Sequence, residues 1–354
     1  MMKMTRALCL IVAAAMITTL AGCGNEPEPT DGAENVEAVA EVASGPTTDR
    51  KVVALCYHAM DDESGSTYEL SIGDFKEQLQ ALADDGYESV LPSQIADYLE
   101  GKSDLPEKAV CITFDDGPES ILSVSKPAMD AHGYVGAAFL IADSVGGEGL
   151  LSWDQVRELE AAGWEIGSHT CTHEMLTRVS TDTCVCELED AREDIAAEIE
   201  GDCDAFAYPN GLYDADVAAR ARDAGYRIAF TIDRGPADQT TDAMFVPRQM
   251  LVDGNSLKTF GNWLSQEKLH LEELDPPVGE RMSTDAGITA RLADDDVPIN
   301  GMEMSVNGSP IKYEGDSETG MLTITPELNE GANNLRINFY GSPRREVSWV
   351  IVAE

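Results

Sequence analysis

Between residues 51 and 261, short apolar runs alternate with stretches whose apolar positions recur every three to four residues. That is the order of parallel βα units. The runs at 52–56, 88–91, 109–114, 135–141, 164–167, 205–208, 227–232 and 245–251 predict strands. Helices fit between them at 74–84, 93–100, 127–131, 152–162, 182–200 and 216–224. The helix at 152–162 carries its own boundaries, with Ser152 and Gln155 spaced as a capping box and Gly163 following as a C-cap. About eight strands over about 200 residues predict an α/β fold, a distorted TIM-like (β/α) barrel. Chemistry in such barrels gathers at the C-terminal ends of the strands, so residues just past each run carry the most information.

The pattern changes near Asp275-Pro276-Pro277. From Gly287 onward, alternating stretches at 288–292, 302–306, 321–324, 334–339 and 347–352 are separated by Asn-Gly and Glu-Gly turn signals. They predict a small all-β module over 276–354, an immunoglobulin-like β-sandwich, behind an α/β domain over 51–275. The stretch SVNGSPIKYEGDSETGMLTITPELNEGANNLRINFYG resembles bacterial immunoglobulin-like repeats of surface proteins. The module has no His or Cys, so a spacer or a weak binding role is expected, for example toward cell-wall or exopolysaccharide machinery.

At the other end, Lys3 and Arg6 precede an apolar run of 14 residues, Ala7 to Leu20. It is too short to cross a bilayer core and has the length of a secretory h-region. The run closes on Leu20-Ala21-Gly22-Cys23, which resembles the bacterial lipobox, whose Cys is lipidated and becomes the new N-terminus. Residues 1–23 therefore read as a lipoprotein signal; the alternative is a plain signal peptide that contains a Cys. Residues 24–50, rich in Glu, Pro, Ala and Thr without a period, read as a flexible acidic tether. The expectation is an exported protein held on the bacterial membrane through Cys23 and facing outward.

Composition narrows the partners. Asp+Glu 65 against Lys+Arg 24 gives a net charge of −41, which repels phosphates and excludes a nucleic-acid partner. Apolar residues at 43% suffice for a packed core. Six cysteines lie beyond the leader, and the sequence leaves their pairing open. A bridge from Cys184 or Cys186 to Cys203 and buried free thiols both fit.

Two constellations carry chemistry. In GSHTCTH, His169 and His173 stand four apart just past a strand. In TFDDG, Asp115 and Asp116 end the apolar run 109–114, where a bare carboxylate is costly unless paired or bound to metal. One Asp with two His supplies three protein ligands and leaves positions open for water, the arrangement of a catalytic Zn²⁺ site. The neighbouring Asp is then free to act as a base.

ITFDDG followed about 55 residues later by IGSHTCTH resembles the first two motifs of the polysaccharide deacetylases of carbohydrate esterase family 4, over residues 52–261. The resemblance implies that Asp115 is the general base and that Asp116, His169 and His173 bind Zn²⁺, or another divalent ion such as Co²⁺ or Ni²⁺. The family's third motif normally reads Arg-x-Pro-Tyr-Gly; here FAYPNG has Ala207 in place of Arg and Asn210 in place of Tyr. The backbone N–H of Asn210 can still serve an oxyanion, since that role needs no particular side chain. Arg248 in FVPRQML is the candidate replacement for the missing Arg. Of the fourth motif only FTIDRG remains, with Asp233 a candidate partner of Arg248 or of a histidine.

The family's final His has no counterpart near the domain's end. VVALCYHAM instead ends a strand in His58, similar to the circularly permuted subgroup that includes the biofilm poly-N-acetylglucosamine deacetylases. His58 is then the general acid. The resemblance implies a hydrolase acting on carbon–nitrogen bonds other than peptide bonds. Its expected substrate is an N-acetylglucosamine-containing polysaccharide, with the poly-β-1,6-linked form favoured. Peptidoglycan or chitin-like chains, O-acetyl xylan, and a non-catalytic glycan-binding lipoprotein are the competing readings.

Overall fold

The computed structural model describes residues 50–62 and 66–354. The expected leader with Cys23, and the tether up to residue 49, lie outside the described residues. Nine strands come first: β1 (Lys51–Tyr57), β2 (Glu88–Ser89), β3 (Ala109–Phe114), β4 (Ala137–Leu140), β5 (Glu165–Ser168), β6 (Ala205–Ala207), β7 (Ile228–Phe230), β8 (Ala237–Asp238) and β9 (Arg248–Met250). Among them run α1 (Ile72–Asp84), α2 (Pro92–Leu99), α3 (Lys126–Asp130), α4 (Trp153–Ala161), α5 (Thr181–Ala196) and α6 (Ala215–Asp223), with α7 (Leu257–Ser265) after β9. The capping box of α4 is formed, the Ser152 N–H donating to Gln155 Oε1 at 2.8 Å and the Gln155 N–H to Ser152 Oγ at 3.4 Å. The sequence reading missed α7, whose nine residues carry Gly261 at their centre and so give a weak helical signature.

Seven parallel strands curl in the order β7-β6-β5-β4-β3-β1-β9. A single parallel bridge between Phe230 and Val246 brings the ends of this circuit together. The count is seven rather than eight because β2 meets only Ala109 and Val110 at the start of β3, while β4 takes Thr113 and Phe114 at its end. β8 is an antiparallel edge on β1. Although β1 is first in the chain, it sits between β3 and β9 and runs parallel to both.

The period-two alternation of strands decides what faces the barrel interior. Val52 and Ala54 on β1, Ala109 and Cys111 on β3, Ala137 and Phe139 on β4, and Ala205 and Ala207 on β6 form one inner cluster with Phe230. Their neighbours Val53, Leu55, Val110, Ile112, Ala138, Leu140 and Phe206 belong to the layer between sheet and helices. Continuing the inward parity along β3 reaches Thr113 and then Asp115; along β1 it reaches Cys56 and then His58. The inner cluster is rich in alanine, which leaves room for a large side chain to enter.

The remaining strands are β10 (Glu267–Lys268), β11 (Leu271–Asp275), β12 (Ile288–Leu292), β13 (Met302–Val306), β14 (Ser309–Ile311), β15 (Tyr313–Gly315), β16 (Met321–Ile324), β17 (Gly331–Phe339) and β18 (Arg345–Ala353). They build a five-stranded sheet, β10-β18-β17-β13-β14, and a four-stranded one, β11-β12-β16-β15. Between them lies a core of their own, including Leu322, Ile324, Leu335, Ile337, Trp349 and Ile351. β10 and β11 precede residue 276, so these sheets draw in a segment that the sequence reading gave to the α/β part. Glu267, Lys268, Glu272 and Glu273 hid the two strands, because a short charged strand lacks the apolar alternation.

The sheets are fastened to the barrel. The Val350 N–H donates to Tyr213 Oη at 3.1 Å, the Arg234 N–H donates to Ser348 Oγ at 2.7 Å, and Lys51 Nζ donates to the Gln266 carbonyl at 2.6 Å.

Candidate active site

The C-terminal ends of β1, β3, β5 and β6 open on a cavity of about 570 Å³ lined by His58, Asp115, Asp116, His169, His173 and Asn210. Four non-glycine residues there hold a left-handed backbone: Asp116 (φ 68°), Thr170 (φ 67°), His173 (φ 66°) and Asn210 (φ 58°). Such residues gather where a side chain must be aimed rather than where the chain is relaxed. Gly211 beside them (φ 66°) is obligatory, since a Cβ would lie 2.1 Å from Ile232.

Asp115 is buried, and Arg248 grips it from across the barrel with Nη1 to Oδ1 at 2.7 Å and Nη2 to Oδ2 at 2.8 Å. The same guanidinium, fully buried on β9, donates to Thr113 Oγ1 (3.1 Å) and to the Thr231 carbonyl (3.0 Å). It lies against the rings of Phe139 and Phe230, 5.5 and 5.8 Å from their centroids. The alanines of the inner cluster make space for it. Ala207, where the family has an Arg, is one of them. Burial alone would raise the Asp115 pKa, but the charge of Arg248 and its hydrogen bonds outweigh it and hold the carboxyl well below its ordinary range. Asp115 therefore stays an anion, with its orientation fixed by a two-pronged charge-assisted pair.

Asp116 is the complement. Its Oδ1 is buried and accepts no hydrogen bond. It lies 3.7 Å from His169 Nε2 and 3.8 Å from His173 Nε2. His169 Nδ1 sits 2.7 Å from the Ala207 carbonyl, so that nitrogen carries the proton and Nε2 presents its lone pair to the gap. Burial pushes the His169 pKa down despite the two aspartates, which keeps the ring neutral. The His173 N–H donates to Thr170 Oγ1 at 2.9 Å. Buried Glu187 on α5 clamps the same loop, accepting from the Thr172 N–H (2.9 Å) and hydroxyl (2.5 Å).

A divalent ion fits this triad. Its three ligand atoms lie within 4.8 Å of one another. Ligands bound at about 2.0–2.2 Å to one tetrahedral ion are roughly 3.3–3.6 Å apart, so a small contraction suffices. The orphaned Asp116 oxygen is the observation that calls for a cation.

His58 lines the cavity, with Nδ1 buried and unpartnered and its ring 5.8 Å from that of Tyr68. The sequence reading missed Cys56, whose thiol donates to Asp115 Oδ2 at 3.3 Å. It also missed the support that Thr113 gives to Arg248. Both carry the inward parity of their strands, so the signal was present.

Asp233 corrects the sequence reading. Its Oδ2 accepts from Tyr213 Oη at 2.7 Å, and it partners neither Arg248 nor a histidine. Burial raises its pKa to about 7, against the lowering effect of the Tyr213 and Thr231 hydrogen bonds. The six cysteines past the leader are free thiols, four of them buried, so no bridge joins Cys184 or Cys186 to Cys203.

Residues 102–229 match the polysaccharide deacetylase family. The barrel superposes on IcaB from Ammonifex degensii with a TM-score of 0.53 and 29% identity, covering 61% of this chain and 97% of that one. The chain carries a polysaccharide deacetylase domain. The Streptococcus pyogenes deacetylase PplD in complex with acetate shares its fold, with a TM-score of 0.58 at 23% identity, covering 61% of this chain and 99% of that one. Among curated relatives, YxkH of Bacillus subtilis, named for the same family, is 26% identical over 218 residues, 62% of this chain and 77% of its own length. The poly-β-1,6-N-acetyl-D-glucosamine N-deacetylase of Escherichia coli is 24% identical over 280 residues, 66% of this chain. The chain spans only 41% of that protein.

Proposed function

We propose that the deacetylase domain removes acetyl groups from N-acetylglucosamine units of a cell-surface polysaccharide by metal-assisted amide hydrolysis. The observation that carries this reading is the pair of adjacent aspartates in opposite states, Asp115 saturated by Arg248 and Asp116 left open between two imidazoles. Asp116, His169 and His173 would hold Zn²⁺ or a similar ion. When bound, the ion supplies a Lewis acid for the acetamide carbonyl.

The chain's own residues do the rest. Asp115, fixed by Arg248, takes the proton of the attacking water. Asn210, on its left-handed turn at the cavity wall, offers a backbone N–H to the charge that develops on the carbonyl oxygen. His58 delivers a proton to the departing amine, which otherwise leaves poorly.

The β-1,6-linked glycan is favoured because relatives named for that substrate are matched over much of this chain and because His58 directly follows β1, the strand that pairs with β9. Export and anchoring through Cys23 belong to the same reading, since a tethered enzyme suits an extracellular polymer. The test is release of free amines from β-1,6- and β-1,4-linked N-acetylglucosamine oligomers by the zinc-loaded chain. Release from the β-1,6 series supports the reading. Release from β-1,4 chains alone moves the substrate to a wall or chitin-like glycan, and release from neither rejects the deacetylase assignment.

A further inference from the structure

Beside the catalytic cavity lies a second one of about 350 Å³, and the two share Asn210, Ile232 and Met250. One wall of this side pocket comes from the barrel, with Gln249 on β9 and Asn255 just beyond it. The other comes from the C-terminal sheets, with Asn307 in the β13–β14 turn and Asn334 on β17. Six of its fourteen lining residues carry side-chain amides, seven are apolar and one is Arg234; none is a carboxylate. That is uncommon in a chain with 65 acidic residues.

Two features show that the pocket is built. Gln249 is 5% exposed, and its Oε1 is buried with no partner, while Nε2 donates to the Met250 carbonyl at 3.2 Å. A buried acceptor left unpaired is costly and calls for a donor from whatever fills the space. Opposite it, Asn307 is locked in place. Its Oδ1 accepts from the Asn334 N–H (2.9 Å), its Nδ2 donates to Asn333 Oδ1 (3.0 Å), and its own N–H donates to the Asn334 carbonyl (2.9 Å). That clasp holds the turn, with φ 51° at Asn307, against the barrel side of the sheet.

We propose that this pocket is a binding subsite for the sugar next to the one being deacetylated, so that the C-terminal sheets form part of the substrate cleft. The inference rests on the deacetylase reading for the identity of the glycan. A neutral pyranose with hydroxyl and acetamide groups supplies both donors and acceptors, which matches amides that present both and carry no charge. The donor that Gln249 Oε1 lacks is a sugar hydroxyl or acetamide N–H. The C-terminal module thereby acts on substrate length rather than as a spacer.

The test separates binding from turnover. Affinities of the full chain for N-acetylglucosamine itself and for its β-1,6- and β-1,4-linked oligomers of two to five units are measured by titration calorimetry. The comparison is with Asn334→Trp, which fills the pocket, and with Asn334→Ala, which removes one amide. Melting curves confirm that both variants fold. The expected result is an affinity that rises from N-acetylglucosamine itself to the oligomers in the wild type, a loss of about tenfold for the oligomers in Asn334→Trp, and an unchanged affinity for the single sugar. Asn334→Ala lies between. Equal affinities of wild type and Asn334→Trp at every length, or no binding of any oligomer by the wild type, would overturn the subsite. If the oligomers bind with the expected length dependence while no acetate is released, the subsite stands and the catalytic reading fails.

Discussion

Two clusters of aspartate and histidine in this molecule use the same residue types for opposite ends. At the barrel mouth, Asp116, His169 and His173 aim three acceptor atoms at one gap, and the aspartate oxygen has no partner. At the seam between barrel and C-terminal sheets, His270 has both ring nitrogens engaged. Nε2 lies 2.7 Å from Asp238 and Nδ1 lies 3.0 Å from Asp294, and Lys268 adds a second cation 2.9 Å from Asp238. Those hydrogen bonds, Asp238 first and Asp294 second, raise the His270 pKa to about 9, whereas burial lowers that of His169. A histidine between carboxylates becomes a charged clamp. A buried one fixed by a backbone carbonyl stays neutral, with a lone pair available to a cation. What separates a site from a fastening here is unspent hydrogen-bonding capacity, not composition.

The largest effect is expected at Arg248. Arg248→Met should leave Asp115 buried without its counter-charge, lowering stability by about 3–5 kcal/mol or forcing the carboxyl to protonate. Either way acetate release should fall by about 10³-fold or more, with melting and turnover measured side by side. A variant that melts like the wild type and keeps its activity would show that Asp115 needs no partner. Next comes His58→Gln, which should cut turnover by about 10²–10⁴-fold while zinc content is unchanged, since His58 is outside the triad. Loss of zinc would make His58 a ligand instead of the acid.

The smallest effect belongs to the seam. The folded-state pKa of His270 lies above its unfolded value, so its contribution is fully present below pH about 6.5 and is lost as pH rises through about 9. Melting temperature should therefore decline across that window, and more gently in His270→Gln. Identical slopes would remove His270 from the account of the seam.

Much of the barrel was legible because its strands are buried runs: 109–114 coincides with β3, and the runs that became β1, β4 and β5 were found to within two residues at each edge. The Asp and His motifs follow those strands, so the cavity where the candidate residues meet was readable too. Three things were not. β10 and β11 are short and charged, and take their identity from the strands they pair with. The embrace of Asp115 by Arg248 joins positions 133 residues apart; the family resemblance nominated Arg248 as the replacement Arg, but the residues alone gave no sign of the pair, which the insertion of β1 between β3 and β9 explains. The amide pocket is assembled from loops and strand edges of two layers, which no local pattern announces.

The central claim is the division of labour between Asp115 and Asp116. The most direct test measures bound zinc and acetate release together in the wild type, Asp115→Asn and Asp116→Asn. Asp115→Asn is expected to keep its zinc and lose at least about 10²-fold in turnover, whereas Asp116→Asn loses both. Zinc lost from Asp115→Asn, or turnover retained in it, would contradict the assignment.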